Sequence, residues 1–250
     1  MNTLITSACS GIGEALAIAC AKRGDTLFLC GHDEQQLELV AAKCRELGST
    51  VSARVVDVRS ANAMQEWVLA CDAEAPLERV FANAGVSAGD GTEESVRKAF
   101  DANVDGCVNT VFPALDAFRS GRGVRKKRQI AILATIAGYA PTEACPSNSA
   151  TKNCVKTWGL AMREALAPEG IEVNVIYPGV VRSRITDDNA SLMPFLMDAP
   201  RAATKILKGV DKNVGTIAFP SQMRFTDWAL SILPHWLCAT VNKILPKYVI

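Results

Sequence analysis

The sequence has little histidine, no paired cysteines, no excess of one charge and no long apolar run. His32 and His235 are its only histidines, and the nine cysteines (Cys9, Cys20, Cys30, Cys44, Cys71, Cys107, Cys145, Cys154, Cys238) include no CxxC pair. Zinc sites are built from Cys and His at short repeated spacings, so no metal is expected. An odd, scattered set of thiols argues against a disulfide framework and for a reducing compartment, the cytoplasm. The formal net charge is +1 over 250 residues, so no overall field recruits nucleic acid. No apolar stretch reaches the ~18 residues that suggest a membrane span. With the first apolar run at Thr3–Ile5, no signal peptide is expected. Linkers, repeats and low-complexity tracts are also missing, so residues 1–250 are expected to form one domain.

What is present is alternation. Hydrophobic residues make up 49% and charged residues 21%, an ordinary globular balance with enough apolar matter for a sizeable core. Thr3–Ile5, Leu27–Cys30, Ser52–Val56, Val80–Ala82, Ile130–Ala134 and Glu172–Ile176 read as six short strands. Between them, residues such as Leu37, Val40, Ala41 and Cys44 recur at helical spacing. Strands alternating with helices imply βαβ units with right-handed crossovers. The expected fold is therefore α/β: a doubly wound parallel sheet in a three-layer αβα arrangement.

Two segments depart from this rhythm. Arg122 to Arg128 carries five cations just before the fifth strand. It reads as a solvated loop at the sheet edge away from the strand C-termini, where ligands bind. The tail from Phe219 is dense in Trp and Leu. Packing against the domain or a second subunit, or a lid over substrate, is the expected role. An interfacial membrane helix is the alternative.

After the first strand comes Thr6-Ser7-Ala8-Cys9-Ser10-Gly11-Ile12-Gly13. A strand feeding a glycine-rich turn and a helix sets backbone N–H groups and a helix N-terminus where a diphosphate can sit. Gly11 allows close approach to the phosphates, and Gly13 allows close helix–strand packing. Taken alone, the turn is equally readable as a tight turn without a ligand.

The turn resembles T-G-x-x-x-G-I-G of the short-chain dehydrogenases/reductases, with Ser7 in place of the first glycine. Serine can make such a turn if its φ stays negative. Further matches follow in family order. Asp57-Val58 resembles the pair that contacts adenine, and Asn83-Ala84-Gly85 the NAG motif bordering the cofactor. Asn103-Val104-Asp105-Gly106 is similar to N-V-x-G, whose Asn supports a water relay to the catalytic lysine. Thr135-Ile136-Ala137-Gly138 stands where the family has S-x-A-G. Pro178-Gly179 with Ser183 resembles P-G-x-x-x-T, whose hydroxyl meets the nicotinamide carboxamide. The chain is identified as a member of that family, which implies a Rossmann fold and a nicotinamide cofactor. The family's NAD users carry an acid where Gly31 stands, and its NADP users a cation just after, where His32 stands. The resemblance thus points to NADP before NAD. Asp33 is expected to cap the next helix.

The catalytic helix of the family carries Y-x-x-x-K. Here it reads Asn148-Ser149-Ala150-Thr151-Lys152, with Asn148 thirteen residues after Thr135, the usual interval. A spacing of four puts positions 148 and 152 on one helix face. Lys152 is therefore expected in place, and asparagine fills the tyrosine slot. A phenol near an ammonium can exchange a proton near working pH, whereas an amide can only hydrogen bond. Lys152 itself, a water held by Asn103, Asn148 and Lys152, or Tyr139 are the substitutes the sequence offers; Cys145 reads as an inert loop thiol. Two function classes stay open: an NAD(P)-dependent carbonyl/alcohol oxidoreductase with an altered proton path, or a cofactor-binding, redox-silent protein that regulates or assembles. The small-molecule substrate is expected under a loop at about 183–200, where Arg182 and Arg184 flank Ser183. By resemblance, helices near Val96–Arg119 and Asn148–Leu166 should pair across two-fold axes into a homodimer or homotetramer.

Overall fold

The computed structural model describes residues 1–87, 91–121, 127–135, 146–182 and 196–220. Seven parallel strands form one sheet: β1 (Asn2–Ile5), β2 (Thr26–Gly31), β3 (Val51–Val55), β4 (Arg79–Ala82), β5 (Gln129–Leu133), β6 (Glu172–Pro178) and β7 (Thr216–Phe219). Their order is β3-β2-β1-β4-β5-β6-β7. The chain thus winds outward from β1 in one direction, then restarts at β4 in the other. The switch point between β1 and β4 opens a crevice at the strand C-termini, where doubly wound sheets take ligands.

Helices cover both faces, so the central strands are buried on both sides and read as continuous apolar runs. Helices α1 (Gly11–Ala21), α2 (Glu34–Glu46) and α7 (Ala199–Asp211) pack on one face; Leu16, Val40 and Ile206 meet Leu29 and Phe81 there. Helices α3 (Ala61–Glu74), α5 (Gly106–Arg119) and α6 (Pro146–Leu166) cover the other, through Trp67, Val111 and Val155. Helix α4 (Glu93–Phe100) runs into α5 through a π-helical turn at Asp101–Asp105.

All six expected strands form, with ends shifted by one or two residues. The seventh, β7, was not expected; only its last residue falls in the apolar tail expected from Phe219. Phe219 is its last residue and is buried beside β6. Four residues are too few for a period-2 pattern to separate a strand from a general apolar stretch. The rest of that tail, residues 221–250, lies outside the described residues. Among the described residues no helix is long and apolar enough to cross a membrane. Lys127 and Arg128, the described end of the basic segment, bond to Glu172 Oε2 and Glu169 O at the N-terminal edge of the sheet. This agrees with the placement expected for them.

That edge also buries a cation. Arg79 is 1% exposed; its Nε donates to Gln129 Oε1 at 2.9 Å and its Nη2 to Asp211 Oδ1 at 2.9 Å. Asp211 is 40% exposed, so the ion pair itself is screened and weak. The fully buried Gln129 carbonyl depends on the guanidinium more. We expect Arg79→Met to cost about 1–3 kcal/mol, the penalty for orphaning that oxygen. Asp211→Asn should cost less. Urea unfolding of the two variants checks the ranking.

Candidate active site

Two polar residues tie the strand ends together at the switch point. Thr6 follows β1, and its Oγ1 accepts from the backbone N–H groups of Asn83 (3.0 Å) and Ala84 (3.1 Å) while donating to Phe81 O (3.3 Å). Asn83 follows β4, and its Nδ2 donates to Thr6 O (3.0 Å) and Ser7 O (3.3 Å). The ends of β1 and β4 are thereby fastened together. Helix α1 then lies so close that a Cβ on Gly13 would stand 2.1 Å from Ser7 O and 2.7 Å from Asn83 Nδ2. Only glycine fits, as the sequence suggested. Ile12 packs on the core beneath. Ser10 is the N-cap of α1, but its hydroxyl makes no capping bond, so the first N–H groups of the helix get no partner from it. Such groups suit a diphosphate.

Ser7 overturns one expectation. Its φ is +52°, and Gly11 has φ +56°. The turn needs the left-handed region at both positions, and serine enters it at a cost of roughly 1–2 kcal/mol. The negative φ that would have spared serine this strain does not occur.

At the end of β2, Gly31 is buried and His32 exposed. Asp33 caps α2, accepting from Gln36 N at 3.0 Å, as expected. Asp57 is gripped by Arg59 through Nε and Nη2, the shortest contact being 2.6 Å. That bonding holds its carboxyl below the usual range. Val58 is pinned between Gly106, where a Cβ would come within 2.7 Å of its Cγ2, and Asn109, which donates to Val58 O at 2.9 Å.

Deeper in the crevice, Lys152, Asn103 and Gly85 converge. A Cβ on Gly85 would meet Lys152 Nζ at 2.6 Å and Asn103 Oδ1 at 3.0 Å. The Nζ donates to Leu133 O at 3.2 Å, the last residue of β5. Lys152 as a whole is half-buried, with its amine packed against Gly85 and Asn103. Burial pushes its pKa down to about 8, and neighbouring Cys107 acts slightly in the opposite direction. Asn103 sits in the π turn, a distortion common at functional sites. Its amide is fully engaged: Oδ1 accepts from Val86 N (2.7 Å), and Nδ2 donates to Val86 O (3.0 Å) and to Thr151 Oγ1 (2.9 Å). Thr151, fully buried, donates in turn to Ser147 O at 2.8 Å. Thr151 is not among the site residues expected from the motifs. The signal was present, since threonine keeps the hydroxyl of the family's Tyr-Ser-Ala-Ser-Lys at that place.

Asn148 lies one turn before Lys152 on α6, half-buried, and among the described residues none bonds its side-chain amide. Thr135 Oγ1 donates weakly to Pro178 O at 3.4 Å, and Gly179 N–H donates to Phe219 O at 2.8 Å. The structure thus brings Thr135 beside Pro178, and Asn103 beside Lys152. Ser183, Tyr139, Cys145 and most of the substrate loop lie outside the described residues.

Two expectations follow. Ser7→Gly should raise stability by about 1 kcal/mol in urea unfolding, since it removes left-handed strain from a non-glycine residue. For Lys152, the folded pKa of about 8 lies below the unfolded value near 10.5. The burial penalty is fully present below pH 8 and is relieved as pH rises from 8 to about 10.5. The stability of the protein relative to Lys152→Met should therefore climb across that window. A flat difference between pH 7 and 10 would contradict the buried, perturbed amine.

Residues 1–193 match the family model described as short chain dehydrogenase. A protein of Myxococcus xanthus named as an uncharacterized oxidoreductase is 32% identical over 239 residues, covering 94% of this chain and 93% of its own. Among solved structures, a short-chain dehydrogenase from Sphingobium yanoikuyae in complex with NADPH superposes with a TM-score of 0.81 at 23% identity, covering 99% of this chain and 97% of that one. A short chain dehydrogenase/reductase from Burkholderia phymatum in complex with NAD does so with a TM-score of 0.81 at 20% identity, covering 98% and 96%. With its sheet order, glycine turn and ordered motifs, the chain belongs to the short-chain dehydrogenases/reductases, NAD(P)-dependent oxidoreductases.

Proposed function

We propose that this protein interconverts a carbonyl compound and its alcohol with NADP as the preferred cofactor, and that Lys152 moves the proton. The observation that carries this reading is the enclosed Lys152 amine at the meeting of Gly85, Asn103 and Leu133. The crevice fits a dinucleotide: the glycine turn and α1 N-terminus suit the diphosphate, Asp57-Val58 the adenine, and Asn83-Ala84-Gly85 with Pro178-Gly179 the nicotinamide half. The bound cofactor supplies or accepts the hydride at the carbinol carbon.

The chain's own residues do the rest. In reduction, a hydride adds to the carbonyl carbon and the oxygen gains negative charge. The Asn148 N–H and the Thr135 hydroxyl stabilise that charge by hydrogen bonding, which needs no proton transfer. The Lys152 ammonium gives the proton that completes the alcohol, then regains one from solvent. A group with pKa near the working pH suits this exchange in both directions. Asn103 and Thr151 act by position: they tie α6 to the Val86 segment and set where Lys152 stands. Selection of NADP is supported by the absence of an acid at Gly31 and by exposed His32 after it, a weak cation able to meet a 2′-phosphate. Assembly into a homo-oligomer through α5 and α6 is supported by Phe112, 50% exposed, whose ring lies 6.2 Å from that of Trp158.

Turnover of generic ketones and aldehydes should be slow, because a positioned tyrosine contributes about 10²–10⁴ in rate. Asn148→Tyr should raise NADPH consumption by about 10²-fold. Lys152→Ala should abolish it in both backgrounds. Reduction by the unaltered protein should fall as pH passes about 8, with the Lys152 ammonium. Fast turnover that Asn148→Tyr slows, with no inflection near pH 8, would remove Lys152 from the proton path. Tight NADPH binding without turnover in either form would favour the redox-silent reading.

A further inference from the structure

Gly31 ends β2 with ordinary backbone angles, so its conformation does not call for glycine. Its surroundings do. A Cβ built on Gly31 would stand 2.0 Å from Cys9 Sγ, yet 3.6 Å from Cys9 Cβ and 3.7 Å from Cys9 N. The sulfur alone excludes a side chain; the backbone and Cβ of Cys9 leave ordinary contact distance. Cys9 is 3% exposed and packs in the core shared by α1 and α2. Its thiol donates to Asp33 O at 3.5 Å, bracing the Gly31–Asp33 turn from below. Swinging the sulfur aside would break that bond inside a buried cluster. Asp33 is already used as the cap of α2.

The end of the second strand, about 20 residues past the glycine turn, is where dinucleotide folds keep the acid that bonds the ribose 2′-hydroxyl. We propose that Cys9 is a specificity-determining residue: its sulfur keeps position 31 without a side chain, and so denies the protein the carboxylate that would select the unphosphorylated cofactor. The thiol is then a steric gate on cofactor choice and takes no part in redox chemistry. The inference rests on the nicotinamide-binding reading above.

Four proteins test it: unaltered, Cys9→Ala, Gly31→Asp, and the double variant. Each is measured for its thermal midpoint and, by titration calorimetry, for its affinity for NADPH and NADH. Gly31→Asp alone should lower the midpoint and weaken both cofactors, because the new side chain displaces the sulfur and the turn. In the Cys9→Ala background the same change should leave the midpoint near that of Cys9→Ala. It should also shift the NADH:NADPH affinity ratio toward NADH by about tenfold or more, equivalent to about 1.4 kcal/mol. Cys9→Ala alone should keep the original preference. Equal effects of Gly31→Asp in both backgrounds would overturn the steric coupling. A rescued midpoint with an unchanged affinity ratio would overturn the link to specificity. If the unaltered protein binds neither nucleotide, the cofactor reading itself falls; the midpoints still tell that failure apart from a missing Cys9–Gly31 coupling.

Discussion

The polar clamp between Thr6 and Asn83 is the constraint on which the rest of the site depends. Parallel strands on either side of a switch point diverge at their C-termini, and the backbone groups there have no ladder partner. The Thr6 hydroxyl and the Asn83 amide satisfy those groups across the gap. With both strand ends joined, the turn that follows β1 has one path, and α1 must press against it. The glycine at position 13 and the left-handed Ser7 are consequences of that path. Ser7 is a local misfit that the surrounding hydrogen bonds over-determine, as strained residues at functional sites generally are.

The second organising feature is a buried amine. Lysine rarely sits enclosed without a carboxylate, and Lys152 has a backbone carbonyl and a polar neighbour instead. The protein tolerates this because the amine can lose its charge at modest cost, which is what the lowered pKa expresses. Around it, Asn103, Thr151 and the Val86 backbone form a chain of short hydrogen bonds that joins the π turn to α6. Such a network is well suited to hold one side chain in register. Ser7, Thr135, Asn148 and Thr151 all differ from the family motifs they resemble, while Asn103 and Lys152 match them.

Legibility followed physical range. The doubly wound fold was readable because a βαβ repeat imposes its period on every segment, and because each turn after a strand carries residues with little freedom to vary. Asp33 as a cap and Gly13 as a close-packing glycine were readable for the same reason: each acts within a few residues of itself. Strand β7 was hidden, because four residues ending where an apolar tail begins are too few to show a period. The π turn at Asn103 was hidden too, since a one-residue widening of a helix leaves no compositional trace.

By itself the sequence determined the class of fold, the order of the motifs and the identity of the group at the tyrosine position, since these follow from local pattern and residue chemistry. Tertiary structure alone decided the sign of φ at Ser7, the full engagement of the Asn103 amide, the enclosure of the Lys152 amine and the contact between Cys9 and Gly31. Each of these depends on atoms brought together from different strands. Cys9 and Gly31 are 22 residues apart in the chain. They meet because β1 and β2 run side by side, so that the turn after one lies beneath the end of the other.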